Sequence, residues 1–114
     1  MAIINQRKLL EQLQFDGELL EQLRELFLEE CREIQDVLRH AFSVPDQEKV
    51  DLALHKLKGV LANFMIETPR ESLTRIAHVN AANPEAVKAV LVNLRAELDL
   101  VNNELIEIVK SCRS

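Results

Sequence analysis

Asn83-Pro84-Glu85-Ala86-Val87-Lys88-Ala89-Val90-Leu91-Val92-Asn93-Leu94-Arg95-Ala96-Glu97-Leu98-Asp99-Leu100-Val101-Asn102-Asn103-Glu104-Leu105-Ile106-Glu107-Ile108-Val109-Lys110-Ser111-Cys112 is the longest regular pattern in the chain. Its apolar positions Val87, Leu91, Leu94, Leu98, Val101, Leu105, Ile108 and Cys112 alternate in steps of four and three. That is a repeat of about 3.5 residues, the period of helices that cross at a shallow angle. Asn83-Pro84-Glu85 starts this helix, with proline where its missing N–H costs nothing. A long helix with one apolar seam needs helical neighbours to cover it.

Those neighbours are legible upstream, where two glycines and three prolines punctuate the sequence. A short opening helix, about Asn5 to Leu13, would bury Leu9, Leu10 and Leu13. Phe15-Asp16-Gly17-Glu18 reads as a helix start, with Asp16 as N-cap, Glu18 in the first turn and Phe15 stapled onto Leu20. The helix that follows carries Leu20, Leu23, Phe27, Cys31, Ile34, Val37 or Leu38, and Ala41 at helical spacing, and ends near Phe42-Ser43-Val44-Pro45. Asp46, or Ser43 just before it, starts the next helix, whose stripe is Val50, Leu54, Leu57, Leu61 and Phe64. Thr68-Pro69-Arg70-Glu71 is a restart signal, with Thr68 as N-cap and proline at the first helical position. Leu73, Ile76 and Ala77 give the short helix after it an apolar face. No stretch alternates with period two for the length of a strand, and no internal repeat is evident. The pattern predicts an all-α, antiparallel up-and-down four-helix bundle, about residues 16–112, with a short additional N-terminal helix at about 5–13. Residues 1–114 are read as one domain.

Composition agrees with this and excludes several functions. The 114 residues are 47% apolar and 29% charged, with four Phe and no Trp or Tyr. A core of Leu, Val, Ile and Ala suits packed helices. The net charge of −5 argues against nucleic acid, which requires a basic face, and there is no aromatic platform for stacking bases. The longest uncharged stretch around the core, Gly59 to Ile66, is too short to span a bilayer, so no membrane insertion is expected. Met1 to Lys8 lacks the apolar region of a signal peptide, and a cytoplasmic setting is the expectation. Cys31 and Cys112 form no Cys-x-x-Cys pair and fall on apolar helix faces, where a thiol packs as a small hydrophobe.

A four-helix bundle can hold two metal ions, but that needs Glu-x-x-His pairs. Val37, Leu52 and Arg75 stand three residues before the histidines, so the sequence offers no metal site. It also lacks the glycine-rich loops that cradle nucleotide phosphates. Any phosphoryl group handled by this chain must arrive from another protein.

His55 is distinguished by its surroundings. It lies at the edge of the stripe that Leu54 and Leu57 define, with Asp51, Leu52, Lys58, Gly59 and Ala62 as face neighbours. A glycine inside an exposed helix costs about 1 kcal/mol against alanine. Beside His55, the missing side chain opens the imidazole to a partner that must come within bonding distance. Lys58, one turn on, favours the neutral nucleophilic imidazole before transfer and can pair with phosphoryl oxygens after it. Gly59 has a plainer alternative reading, close packing of helices. His40, near a helix C-terminus, and His78, in the short third helix, are read as surface histidines.

The run His55-Lys56-Leu57-Lys58-Gly59 resembles the His-x-(Leu/Ile)-Lys-Gly pattern of the histidine-containing phosphotransfer (HPt) domain. Leu23-Arg24-Glu25-Leu26-Phe27-Leu28-Glu29-Glu30-Cys31 is similar to the helix that precedes the site in many members, and the likeness spans roughly Asp16 to Cys112. The resemblance implies a phosphorelay carrier, not an enzyme. His55 would accept a phosphoryl group from a receiver-domain aspartyl phosphate and pass it to a response regulator. It further implies that Lys58 stabilises the phosphoryl group, that Gly59 gives clearance, and that Asp51, Leu52, Lys56 and Ala62 meet the partner. No cofactor of its own is expected, Mg²⁺ belonging to the receiver, and a monomer is expected. Such a carrier acts alone or within a hybrid sensor kinase; a chemotaxis-type kinase would need an ATP-binding domain, which these residues do not contain. The chain departs from the family pattern at Val60 and Leu61, where small residues are usual, and at Met65, where glycine is usual. Leu61 fits the buried stripe, whereas Val60 would narrow the range of receivers if it borders the docking face. These departures leave a second reading, a domain of this fold that binds a receiver or kinase without being phosphorylated.

Overall fold

The computed structural model describes residues 4–66 and 70–113, with the side chains of all of these except residues 70, 71 and 113. It is all-α, with helices α1 (Gln6–Gln12), α2 (Gly17–Ser43), α3 (Gln47–Asn63), α4 (Arg70–His78) and α5 (Pro84–Arg113). Helix α2 packs on both α3 and α5, and α4 closes the ring by packing on α3 and α5. The up-and-down bundle expected from the periodicity is therefore present, with α1 as the additional N-terminal helix. The Thr68 restart signal lies outside the described residues.

The helix starts follow the capping chemistry of the sequence. The Asp16 side chain accepts from the backbone N–H groups of Glu18 and Leu19, and Asp46 accepts from that of Lys49 at 3.2 Å. Asn5 caps α1 by accepting from Lys8 at 3.1 Å. Each bond satisfies a donor that has no partner within its own helix, a contribution of about 1 kcal/mol.

Phe15 departs from expectation. It is 63% exposed and does not staple onto the buried Leu20. The end of α1 decides this. Gln14 donates to the Glu11 carbonyl and Phe15 to the Leu10 carbonyl, a Schellman closure that sets both residues at positive φ (54° and 58°). One short turn must both end α1 and start α2, and the first requirement directs Phe15 outward.

The core is a single apolar cluster drawn from all five helices, in which Leu20, Phe27, Leu38, Leu57, Ile76, Leu94, Val101 and Leu105 are almost fully buried. Phe27 and Phe64 meet edge to face with ring centroids 5.1 Å apart, an arrangement worth about 0.5–1.5 kcal/mol beyond area burial. Polar side chains tie α5 to its neighbours. Arg24 holds Glu21 on its own helix and donates to Asn102 Oδ1 at 3.1 Å, and the Glu21 hydrogen bond raises the guanidinium's affinity for its proton still further. The hydroxyl of Ser72, 1% exposed, donates to Glu97 Oε1 at 2.7 Å. The backbone N–H of Ile4 donates to Glu104 Oε1 at 3.3 Å, and Ile4 also forms a single antiparallel bridge with Ile66.

The seam of α5 is not uniformly covered. Leu94, Leu98, Val101, Leu105 and Ile108 are buried, but Val87, Leu91 and Cys112 are only half-buried. Leu23 is likewise half-buried, and of the pair on α2 it is Leu38 that faces the core while Val37 is exposed. Cys31 is a buried free thiol.

Candidate functional site

Helix α3 carries the candidate site, and its inward side fixes its orientation. Val50, Ala53, Leu54, Leu57, Val60 and Leu61 are buried, a broader arc than Val50, Leu54, Leu57 and Leu61 alone define. At about 100° per residue, His55 and Gly59 then lie nearly opposite the middle of the buried arc. The imidazole is displayed on the outward face of the helix, farther from the stripe than the sequence suggests. Asp51, Leu52, Lys56, Lys58, Gly59 and Ala62 are all exposed with it, Leu52 at 64%.

Val60 is the instructive correction. It is 6% exposed and packs into the core, about 140° around the helix from His55. It does not border the outward face and cannot narrow access to His55 from there.

Gly59 has a helical conformation, and a Cβ added to it would meet nothing within 4 Å. Close packing of helices is therefore not the reason for this glycine. The backbone at this position is open to solvent on the same face as the imidazole.

Electrostatically, the face carries three charged side chains near His55: Asp51, Lys56 and Lys58. Asp51 accepts a hydrogen bond from Gln47 Nε2 at 2.9 Å. Among the described residues, His55, Lys56 and Lys58 form no hydrogen bond or ion pair through their side chains. The cations are thus available to an incoming anionic group. The N-cap of Asp46 at one end and the buried Leu54 and Leu57 beneath hold the imidazole on a stiff element.

The far end of α3 explains the departure at Met65. Met65 donates to the Ala62 carbonyl and Ile66 to the Leu61 carbonyl, both at 3.1 Å, the two bonds of a Schellman closure. Met65 occupies the position where glycine is favoured and has φ 56°. A side chain in this left-handed conformation costs about 1–2 kcal/mol. The missing glycine is a matter of helix termination, ten residues from His55.

His40 lies in the last turn of α2 and His78 in the last turn of α4, both exposed. Neither has a glycine beside it. Among the described residues no cluster of His, Cys, Asp and Glu could hold a metal ion, and no helix is long and apolar enough to cross a membrane.

The bundle thus displays His55 on the outward face of its second long helix, among cations and beside a bare stretch of backbone. Residues 22–105 match the model of the Hpt domain family, and the chain belongs to that family. Hpt domains are phosphotransfer carriers that interact with receiver domains in two-component phosphorelays. No curated protein and no solved structure matches the chain significantly.

Proposed function

We propose that His55 is the phosphoacceptor of a phosphorelay. It takes a phosphoryl group from the aspartyl phosphate of one receiver domain and passes it to a response regulator. The observation that carries this reading is Gly59: a helix-weakening residue, exposed, with open space where its side chain would stand, on the face that displays His55.

In the forward step a ring nitrogen of neutral His55 attacks the phosphorus of the acyl phosphate. The N–P bond forms as the P–O bond to the aspartyl carboxylate breaks, and the carboxylate leaves. Transfer of this kind rests on alignment and charge neutralisation rather than on covalent assistance. Lys58 neutralises part of the charge on the phosphoryl oxygens. Asp51, Leu52, Lys56 and Ala62 form the contact zone, in which Leu52 supplies an exposed apolar anchor. Mg²⁺ is held by the receiver, and this chain contributes no cofactor.

The binding-only alternative drew its support from Val60 and Met65. Val60 faces the core and Met65 terminates α3, so neither obstructs the outward face. The carrier reading is tested by mixing the protein with a receiver bearing labelled aspartyl phosphate. Label should appear on this chain in an acid-labile, base-stable bond and be absent from His55→Gln. Stable receiver binding without any transfer of label to the unaltered chain would contradict it.

A further inference from the structure

On the side of the bundle where α2 meets α5, a groove of about 840 Å³ runs along the C-terminal half of α2 and the N-terminal half of α5. Phe27, Cys31, Phe42 and Leu98 form its floor, and the half-buried Leu28, Val87 and Leu91, with exposed Val92, leave apolar surface open to solvent. This is where the seam of α5 is left incompletely covered: its core spacing continues past Leu94 toward Val87, but the bundle supplies too little to cover it.

The rims carry a regular charge pattern. Arg32 and Arg39 stand seven residues apart on α2, and Lys88 and Arg95 stand seven apart on α5. Seven residues return to nearly the same side of a helix, about 10.5 Å along its axis. The Arg24–Asn102 hydrogen bond sets the register of these antiparallel helices. Eight residues on along α2 and seven back along α5 lead from that bond to Arg32 and Arg95, and fifteen and fourteen lead to Arg39 and Lys88, so each pair is level to within about one residue step of 1.5 Å. Two pairs of cations thus face each other across an apolar floor, in a chain whose net charge is −5. Asp36 pairs with Arg39, an exposed ion pair of small worth. Arg32, Lys88 and Arg95 make no ion pair among the described residues, and Asp99 stands at the far end of the groove.

We propose that this groove docks an acidic amphipathic helix of another protein. Its apolar stripe would lie on Leu28, Val87, Leu91 and Val92, with Glu or Asp repeating every seven residues on both flanks. Heptad-spaced charges beside an apolar seam are how packed helices select partners and register. Such a partner would neutralise Arg32, Lys88 and Arg95, the rim cations that have no ion pair among the described residues. None of the groove's lining residues belongs to α3, so the carrier can be held through this surface while His55 stays open. The proposal does not depend on phosphorylation of His55.

The test uses two fluorescent peptides of three heptads, with leucine at the seam positions and either glutamate or lysine at the flanking ones, titrated against the full chain. The glutamate peptide should bind, more weakly as salt rises, with NMR amide shifts at Leu28, Gln35, Leu91 and Val92 and none around His55. Arg32→Glu with Arg95→Glu should weaken it by about tenfold or more and confer binding of the lysine peptide. Val92→Lys, at an exposed position, should weaken both, with thermal melts confirming that each variant folds. Equal binding of the two peptides, shifts mapping elsewhere, or no binding up to about 1 mM (a standard free energy near −4 kcal/mol) would overturn the proposal. So would concentration-dependent dimerisation that protects the same residues, since a second copy would then be the occupant.

Discussion

Gly59 and Met65 lie six residues apart at the C-terminal end of α3, and each is the residue that helix stability would place at the other's position. Glycine stands mid-helix, where it costs about 1 kcal/mol and where no neighbour requires it. Methionine stands at the left-handed cap, at φ 56°, where glycine would relieve strain. A cost with no structural return, next to an exposed histidine, points to a partner. A cost at a helix end, far from that histidine, is carried by the rest of the fold.

The interior of α3 sets the scale against which both sites are judged. Leu57→Ala, at a fully buried position between Lys56 and Lys58, should lower unfolding free energy by about 2–5 kcal/mol, read by chemical denaturation. Gly59→Leu should do the opposite, raising stability by about 0.8 kcal/mol while slowing phosphoryl transfer by about tenfold, or about 1.4 kcal/mol of barrier. Unchanged transfer kinetics in that variant would break the comparison, because clearance would then not be the role of Gly59. Met65→Gly should raise stability by about 1 kcal/mol and leave transfer unaltered; a change in transfer would tie the cap to docking after all. Gly59→Ala should sharpen the distinction by adding about 0.5–1 kcal/mol of stability with a smaller loss of transfer than leucine causes.

A final prediction concerns pH and a residue remote from α3. Burial, followed by the nearby Glu30 charge, pushes the Cys31 thiol up to about 12, whereas an unfolded chain's thiol ionises near pH 8.5. The stability held by the protonated buried thiol is complete below about pH 8.5 and is lost progressively as pH rises toward 12. Cys31→Ala should flatten this alkaline decline in thermal melts, although it costs packing at neutral pH.

The helices were legible because their caps and periods agree: Asp16, Asp46, and the apolar steps of α2, α3 and α5 all point to one arrangement. His55 was singled out by its Lys58 and Gly59 neighbours, but the stripe read from the sequence set it at the edge of the buried face rather than opposite it. What the sequence concealed depended on neighbours. A single stripe period does not say how wide a buried arc will be, so Val60 could not be placed until α3 was seen packed. Phe15 sits where one turn must end a helix and begin another, and the apolar pattern does not rank those demands. The half-covered groove arises from the limited covering of one end of the bundle, which the unbroken seam of α5 does not reveal. The Ser72–Glu97 bond was hidden because a carboxylate adjoining the seam reads as surface until a short helix crosses above it.

Locating the phosphoryl group within the chain tests the central claim most directly, because three histidines compete for it. The protein should be phosphorylated by a receiver, kept at alkaline pH and fragmented by electron transfer in a mass spectrometer, which preserves the N–P bond. The added phosphoryl mass should fall on fragments containing His55 and on none that contain only His40 or His78. Phosphorylation at either of those residues, or persistent labelling of His55→Gln, would contradict it.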